Sequence, residues 1–167
     1  TIPSGVTSIG DNAFNGCSTL SSVTIPASVR SIGQSAFTYC YALTTPTLQE
    51  GLESIGANAF WLCSSITSMN IPASVTSIGS RAFVGCDGID SITVEAANAN
   101  YSDVDGVLFN KDQTVLHTCP PGKSADPYTV PAGVLTIELG AFHGCDNIDS
   151  VVLPDGLTTI GFSAFTG

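Results

Sequence analysis

The sequence repeats two residue types at a fixed interval of 23 positions. Phenylalanine and cysteine both keep this interval, at Phe14, Phe37, Phe60 and Phe83 and at Cys17, Cys40, Cys63 and Cys86. Two residue types that share one interval through four copies indicate that each unit forms one coil of a stacked array. A period of about 20 to 29 residues is typical of a leucine-rich-repeat solenoid. The period restricts the possible folds more than any other feature of the chain.

The period is interrupted once and then resumes. Phe142 and Phe165 are again 23 residues apart, whereas Phe83 and Phe142 are 59 apart, which is two periods of 23 plus 13 residues. Within the interruption, VLF reads as a strand, NKDQ as a polar turn and TVLHT as a return strand. We therefore expect one continuous solenoid of roughly seven coils, with regular repeats over 1–97 and 128–167 and an irregular, hairpin-bearing coil over 98–127. Neither terminus resembles the polar cap that such arrays need, so we expect a segment of a longer array.

Each unit begins with a strand pattern. In the second unit, Leu20, Val23 and Ile25 follow the L-x-x-L-x-L spacing of the strand that lines the concave side of a leucine-rich repeat. Side chains alternate along a strand, so Ser22 and Thr24 are predicted to point outward.

The rest of each unit reads as a return path. Val29 and Ile32 start it, Gly33 allows a sharp turn, and QSAF is compatible with a turn or a short 3₁₀ helix. The predicted fold is a right-handed leucine-rich-repeat coil with a parallel sheet on the concave side, short turns or 3₁₀ helices on the convex side, and one inserted β-hairpin.

Identical positions of stacked coils form columns, and two of these columns are predicted to lie in the core. The phenylalanines would form a spine of stacked rings from Phe14, Phe37, Phe60, Phe83, Phe142 and Phe165. The cysteines would form a ladder of buried free thiols from Cys17, Cys40, Cys63, Cys86 and Cys145. Cys119 belongs to the inserted coil and could be free or exposed.

Two other roles for the cysteines are disfavoured. Cysteines one coil apart have a suitable Cα distance for a disulfide, but side chains that point the same way hold the Cβ atoms too far apart. A zinc site would need a C-x-x-C pair or more than the two histidines present.

Charge and hydropathy exclude several kinds of partner. The chain has 4 Lys and Arg against 14 Asp and Glu, for a net charge of −10, so it has no basic surface for nucleic acid or anionic membranes. No apolar run is long enough to insert into a membrane, and no leader segment is visible at the N-terminus. The two candidate general bases, His117 and His143, lack a nucleophile arranged in a recognisable motif. We predict no catalytic residues, no cofactor and no metal.

The repeat consensus is L-x-x-V-x-I-P-x-x-V-x-x-I-G-x-x-A-F-x-G-C, which resembles the BspA-like leucine-rich repeats of bacterial and some protist surface proteins. The resemblance covers nearly the whole chain, including the hairpin-bearing coil, although Glu138 replaces the usual glycine. It implies an extracellular or cell-surface module for adhesion or interaction with a protein or glycan, without catalytic residues.

The candidate binding surface is the outward side of the predicted strands. It carries small, mostly hydroxylic side chains in two columns, which we call the strand face: Ser22, Thr24, Thr45, Thr47, Ser68, Asn70, Ser91, Thr93 and Ser150, with Val152 as an apolar exception. Such residues also suit any exposed strand. For binding, Tyr39, Tyr41, Trp61 and the hairpin could add aromatic anchors. Two alternatives remain at this point: a structural unit that associates through its solenoid ends into a fibre, and an ice-binding surface.

Overall fold

The computed structural model describes residues 1–167 and is a parallel β-solenoid of about seven coils with no helix. The solenoid predicted from the period is confirmed, and turns alone connect its strands. The strands, in chain order, are β1 Ser8–Ile9, β2 Ser22–Ile25, β3 Ser31–Ile32, β4 Thr45–Leu48, β5 Ser54–Ile55, β6 Met69–Ile71, β7 Ser77–Ile78, β8 Ile92–Val94, β9 Tyr101–Val104, β10 Val107–Asn110, β11 Val115–Thr118, β12 Tyr128–Thr129, β13 Thr136–Ile137, β14 Val151–Val152 and β15 Thr159–Ile160.

The predicted L-x-x-V-x-I strands are present, in three separate parallel pairs: β2 with β4, β6 with β8, and β12 with β14. Their alternation is clear in β2, where Val23 and Ile25 are buried and Ser22 and Thr24 are exposed. Between β4 and β6 the ladder is weak, because the bond from Thr67 N to Thr44 O is 3.4 Å long.

A second line of strands was missed by the sequence analysis. The Ser-Ile dipeptide of each return path is a two-residue strand, and β1, β3, β5 and β7 form a continuous parallel sheet. Its register is one period, with Ser31 beside Ser54 and Ile32 beside Ile55. Two residues are too short to show an alternating pattern, so only the stacking of coils reveals these strands.

The irregular coil contains the predicted hairpin, β10 and β11, and one strand more. β9 pairs antiparallel with β10, and the two are joined by Asp105 and Gly106, which both have positive φ, 50° and 77°. The strand β9 was not predicted from the sequence. The Asp-Gly pair between Val104 and Val107 was the missed signal, because it favours a two-residue hairpin turn.

The inserted strands return the chain to the solenoid. β11 pairs parallel with β13, and β13 with β15, which gives a five-stranded sheet in the order β15-β13-β11-β10-β9. β10 packs into both parts of the core, with Leu108 in the N-terminal cluster and Val107 and Phe109 in the C-terminal one. The hairpin strand is therefore the packing link between the two runs of regular coils.

Candidate binding surfaces

The predicted phenylalanine spine is present as two stacks of rings. Ring centroids are 5.0 Å apart for Phe14 and Phe37, 5.3 Å for Phe37 and Phe60, and 6.0 Å for Phe60 and Phe83, with the rings nearly parallel. A second stack joins Phe142 to Phe165 at 4.9 Å. Three residues of the first stack have no exposed surface: Phe37, Phe60 and Phe83.

The rings of the outer coils are less buried than a spine predicts. Phe165 is 42% exposed and Phe14 is half-buried. Each stacks on one ring only, because the neighbouring coil lies on one side. The inward orientation of the side chain therefore does not by itself bury it.

The cysteine column has a role that the sequence analysis did not identify. Each thiol lies against the main-chain carbonyl of the residue 26 positions earlier, so the Cys40, Cys63 and Cys86 S–H groups donate to Phe14 O, Phe37 O and Phe60 O at 3.2, 3.0 and 3.1 Å. Thiols are weak donors, but here they partner carbonyls inside the core. Cysteine at this position thus combines a small apolar volume with a hydrogen bond between coils.

The pKa values of three buried thiols, Cys40, Cys63 and Cys119, are raised, which favours their neutral form. The hydrogen bond with the Cys63 thiol, followed by burial, raises the pKa of Cys40 far above its usual range. The Cys145 thiol and then burial do the same to the pKa of Cys119. All six cysteines are free. These thiols are therefore poor nucleophiles, since the thiolate is the reactive form.

Cys17 differs from the expectation, whereas Cys119 is free, which is one of the two states predicted for it. Cys17 was predicted to be buried but is exposed, because it lies in the first coil, where no earlier coil supplies a carbonyl. Cys119 is buried, and its N–H donates to Ala141 O just as Phe142 N–H donates to Ala164 O. Cys119 thus occupies the phenylalanine position of the inserted coil, and the Cys145 thiol lies 3.6 Å from its carbonyl. The 13 extra residues are absorbed before Cys119.

The strand-face residues lie mostly where they were predicted. All except the half-buried Ser91 are exposed. Ser22 lies beside Thr45, Thr24 beside Thr47, and Asn70 beside Thr93. The strands β2, β4, β6 and β8 therefore carry one polar surface.

The inserted coil divides the strand face. The Gly106 turn lies against Ser91, and Ile92 N–H donates to Gly106 O, so β8 has no regular strand on that side. The neighbour of Val152 is Thr129, which the sequence analysis missed because the extra residues shift the register. Ser150 lies beyond the hairpin, and its hydroxyl donates to Asp126 Oδ1 at 2.8 Å.

Some strand-face groups are already paired with one another. The Thr93 hydroxyl donates to Asn70 Oδ1 at 3.0 Å, and the Asn70 amide donates to Glu95 Oε1 at 3.0 Å. These two hydrogen bonds link the side chains of Thr93, Asn70 and Glu95 and fix the orientation of the Asn70 amide. The strand-face hydroxyls of β2 and β4 stay available to a partner.

The three predicted aromatic anchors form one group, which we call the aromatic cluster: Tyr39, Tyr41 and Trp61. The ring centroid of Tyr39 is 5.9 Å from that of Tyr41 and 5.3 Å from that of Trp61, at interplanar angles of 45° and 49°. Tyr41 is 47% exposed, and the other two are half-buried. Tilted rings at these distances attract one another and hold the cluster together.

Tyr39 and Leu62 occupy a backbone position that is otherwise glycine. The regular coils carry Gly16, Gly85 and Gly144 here, with φ between 72° and 75°, and Tyr39 and Leu62 adopt φ of 62° and 58°. Bulky residues in this left-handed region cost about 1–3 kcal/mol each. The two strained positions are in the same two coils as the aromatic cluster.

Glu138 replaces a glycine that serves a purpose other than the predicted sharp turn. The SIG glycines do not have positive φ; a Cβ on Gly56 would lie 2.5 Å from Gly33 C of the preceding coil. The coil that precedes Glu138 is the irregular one. The Glu138 side chain lies beside His117 of that coil, with Glu138 Oε2 3.6 Å from His117 Nε2.

His117 and its neighbours join the hairpin to the solenoid. The imidazole is buried, with Nδ1 2.8 Å from the Thr118 hydroxyl and Nε2 3.2 Å from Ile78 O. Ile78 N–H donates to the Tyr101 hydroxyl at 2.8 Å. Burial raises the pKa of Tyr101, the Ile78 hydrogen bond lowers it and Glu138 raises it, with a net upward shift. These contacts tie the histidine to the main chain at Ile78 and to the side chains of Thr118 and Glu138.

Asn98, which the sequence analysis did not single out, fixes the start of the insertion. Its buried amide donates to Pro72 O and Val75 O at 2.8 and 3.0 Å. Its Oδ1 accepts from Asn100 N–H and Tyr101 N–H, both at 2.8 Å. The hairpin is therefore held in one orientation to the regular coils.

The stacked coils with one strand-turn unit every 23 residues define a leucine-rich-repeat solenoid protein. A family model described as the BspA type leucine-rich repeat region matches residues 1–114 and 122–167, in six copies. The chain belongs to this family, as its repeat consensus predicted. No curated protein matches the chain in sequence.

Solved structures of bacterial proteins share the fold over nearly the whole chain. The pneumococcal vaccine antigen PcpA is 32% identical at a TM-score of 0.89, over 96% of this chain and 40% of its own. A leucine-rich cell surface protein of Faecalibacterium prausnitzii is 36% identical at a TM-score of 0.86, over 93% and 41%. A leucine-rich repeat protein of Eubacterium ventriosum is 30% identical at 0.85, over 99% and 50%.

This chain thus spans about two fifths to one half of the length of these neighbours. Within it, no helix has the length and apolar character needed to cross a membrane.

Proposed function

We propose that the chain is a non-catalytic interaction module of a cell-surface protein, and that it binds a protein partner through the part of the strand face that lies on β2, β4, β6 and β8. The observation that carries the proposal is the exposed, uncharged polar surface formed by β2, β4, β6 and β8, in register over two pairs of strands. The F. prausnitzii neighbour, described as a cell surface protein, supports the location. Solenoids present their repeated strands as extended binding surfaces, which supports the choice of face.

The polarity of the strand face favours a partner bound through hydrogen bonds. Hydroxyls of Ser22, Thr24, Thr45 and Thr47 project from adjacent strands and are exposed. Interfaces of this kind depend on shape and on about one hydrogen bond per 100–200 Å². Lysine at these positions would introduce charge and bulk without disturbing the core side of the strand.

The test measures binding of the fluorescently labelled chain to a coat of extracellular-matrix protein. We expect Ser22→Lys with Thr24→Lys, and Ser68→Lys with Asn70→Lys, to reduce bound chain at least about tenfold. The matched control is Ser8→Lys with Ser77→Lys, two exposed serines of the other sheet. Full binding by the strand-face variants would place the site elsewhere.

Two treatments separate the kinds of partner. Protease digestion of the coat should abolish binding, whereas periodate oxidation of its glycans should leave it intact. Light scattering of the free chain tests the structural alternative, because end-to-end assembly would give species larger than the 17.1 kDa monomer. Monomeric chain that binds the coat supports an interaction module.

A further inference from the structure

The aromatic cluster has features that a purely structural group would lack. Phenylalanines supply the stacked core, whereas Tyr39, Tyr41 and Trp61 lie at the surface, with Tyr41 47% exposed. Trp61 is the only tryptophan of the chain. The neighbouring Thr38 hydroxyl donates to Asn58 O, but the two tyrosine hydroxyls and the indole N–H form no hydrogen bond within the chain. Three polar atoms are thus free beside exposed ring faces.

The backbone at the cluster is strained where it carries these rings. Tyr39 has a φ of 62° at a position held by glycine in three other regular coils. Glycine would fit this position without strain. A tyrosine in this position therefore points to a use for its ring.

The column of Tyr41 carries no charge in the coils next to the cluster. The positions equivalent to Tyr41 are Ser18 and Ser64 in the adjacent coils, and carboxylates appear only further along the same column, at Asp87 and Asp146. One coil before Tyr39, the exposed Asn15 amide donates to Asn12 Oδ1 at 2.9 Å, which leaves Asn15 Oδ1 free. Coils lie roughly 5 Å apart, so ring faces and amide span about 10 Å. That length matches about two pyranose rings.

We propose that the aromatic cluster is a binding site for a neutral glycan, separate from the strand face. The apolar C–H face of one pyranose ring would stack on Tyr41 and Trp61, and ring hydroxyls would bond to the free tyrosine hydroxyls and to Asn15. A few placed polar groups around an aromatic surface are the usual composition of a small-ligand site. The net charge of −10 disfavours acidic sugars.

The experiment is a titration of the whole chain with cellobiose, N,N′-diacetylchitobiose and lactose, followed by tryptophan fluorescence. Trp61 reports the site directly because the chain has no other tryptophan. We expect a saturable change with at least one neutral disaccharide, at a Kd on the order of 1 mM, and none with digalacturonic acid. Absence of saturation with all three neutral sugars would overturn the proposal, as would tighter binding of the acidic one.

Three variants assign the binding to the cluster. Tyr41→Ala removes the most exposed ring, and Tyr39→Gly removes a ring while restoring the glycine of the repeat, so it should fold at least as well as the native chain. Each should weaken sugar binding at least about tenfold. Phe162→Ala removes an aromatic side chain that is 76% exposed elsewhere and should have no effect. Unchanged affinity in a folded Tyr39→Gly variant would contradict the assignment, whatever the strand-face variants show.

Discussion

The cysteine position shows how one residue type meets two requirements of a coil. The site is fully buried at Cys40, Cys63 and Cys86, so a small apolar side chain fits. Each thiol also partners a carbonyl of the preceding coil, which serine could do only with a larger desolvation cost. The 23-residue spacing of the cysteines predicted that they are buried. The hydrogen bond could not be predicted, because it joins residues of two different coils.

Truncation of a spine ring should lower the free energy of unfolding more in a central coil than in a terminal one. Phe60→Ala removes a ring with no exposed surface that stacks on both Phe37 and Phe83, and should lower the free energy of unfolding by about 3–5 kcal/mol. Phe165→Ala removes a ring that is 42% exposed, and should cost roughly 1 kcal/mol. Urea denaturation followed by circular dichroism measures both. Equal costs would contradict the placement of these rings.

Residue spacing predicted which side chains point inward but could not predict how well each is covered. Cys17 and Phe165 have the same repeat positions as Cys63 and Phe60, yet both are exposed because a column ends beside them. Tyr39 and Trp61 were recognised as possible anchors from their residue types. Their contact depends on the left-handed turn at Tyr39, for which the residue type gives no signal.

At the scale of the strands, the SIG glycine controls how closely coils stack. The α-carbon of Gly56 packs on the backbone at Gly33, and Gly161 packs on Leu139 N in the same way. The short Ser-Ile strands pair just before this contact. Their pairing needs the close approach that a side chain would prevent. The SIG glycine was recognised in the sequence, but it was predicted to allow a sharp turn and not a close approach of two coils.

A matched pair of alanine variants tests this close approach. In Gly56→Ala the new methyl group would lie 2.5 Å from Gly33 C, and we expect a loss of about 1–3 kcal/mol of unfolding free energy. Gly10→Ala changes the same repeat position where nothing lies within 4 Å, and it should be neutral or slightly stabilising. Thermal denaturation of the two variants under one condition gives the comparison. A stable Gly56→Ala variant would show that the coils have room to separate.

The insertion was predicted as a hairpin and is a three-stranded element. β10 and β11 follow from the apolar runs VLF and VL and from the polar turn between them. β9 lacks that pattern, because its four residues are all half-buried. The contact between His117 and Glu138 depends on a register that resumes at Cys119, which a simple count from Phe83 to Phe142 does not locate.

At the scale of the molecule, the period determines the core, and the differences between coils form the candidate binding sites. The strand face repeats with the period, whereas the aromatic cluster in the second and third coils and the three-stranded insertion interrupt the regular array. An ice-binding surface is disfavoured, because the polar columns of the strand face are divided by the Gly106 turn and end at the apolar Val152. Recognition of a particular partner requires such differences.

The most direct test of the stacked inner columns is a thiol count. At pH 8 and without reductant, a thiol reagent should react rapidly with one of the six cysteines of the native chain, Cys17, and with all six in denaturant. The raised pKa values of Cys40 and Cys119 add to the protection by burial. Rapid reaction of several native thiols would contradict the buried ladder, and fewer than six in denaturant would reveal disulfides that this fold does not contain.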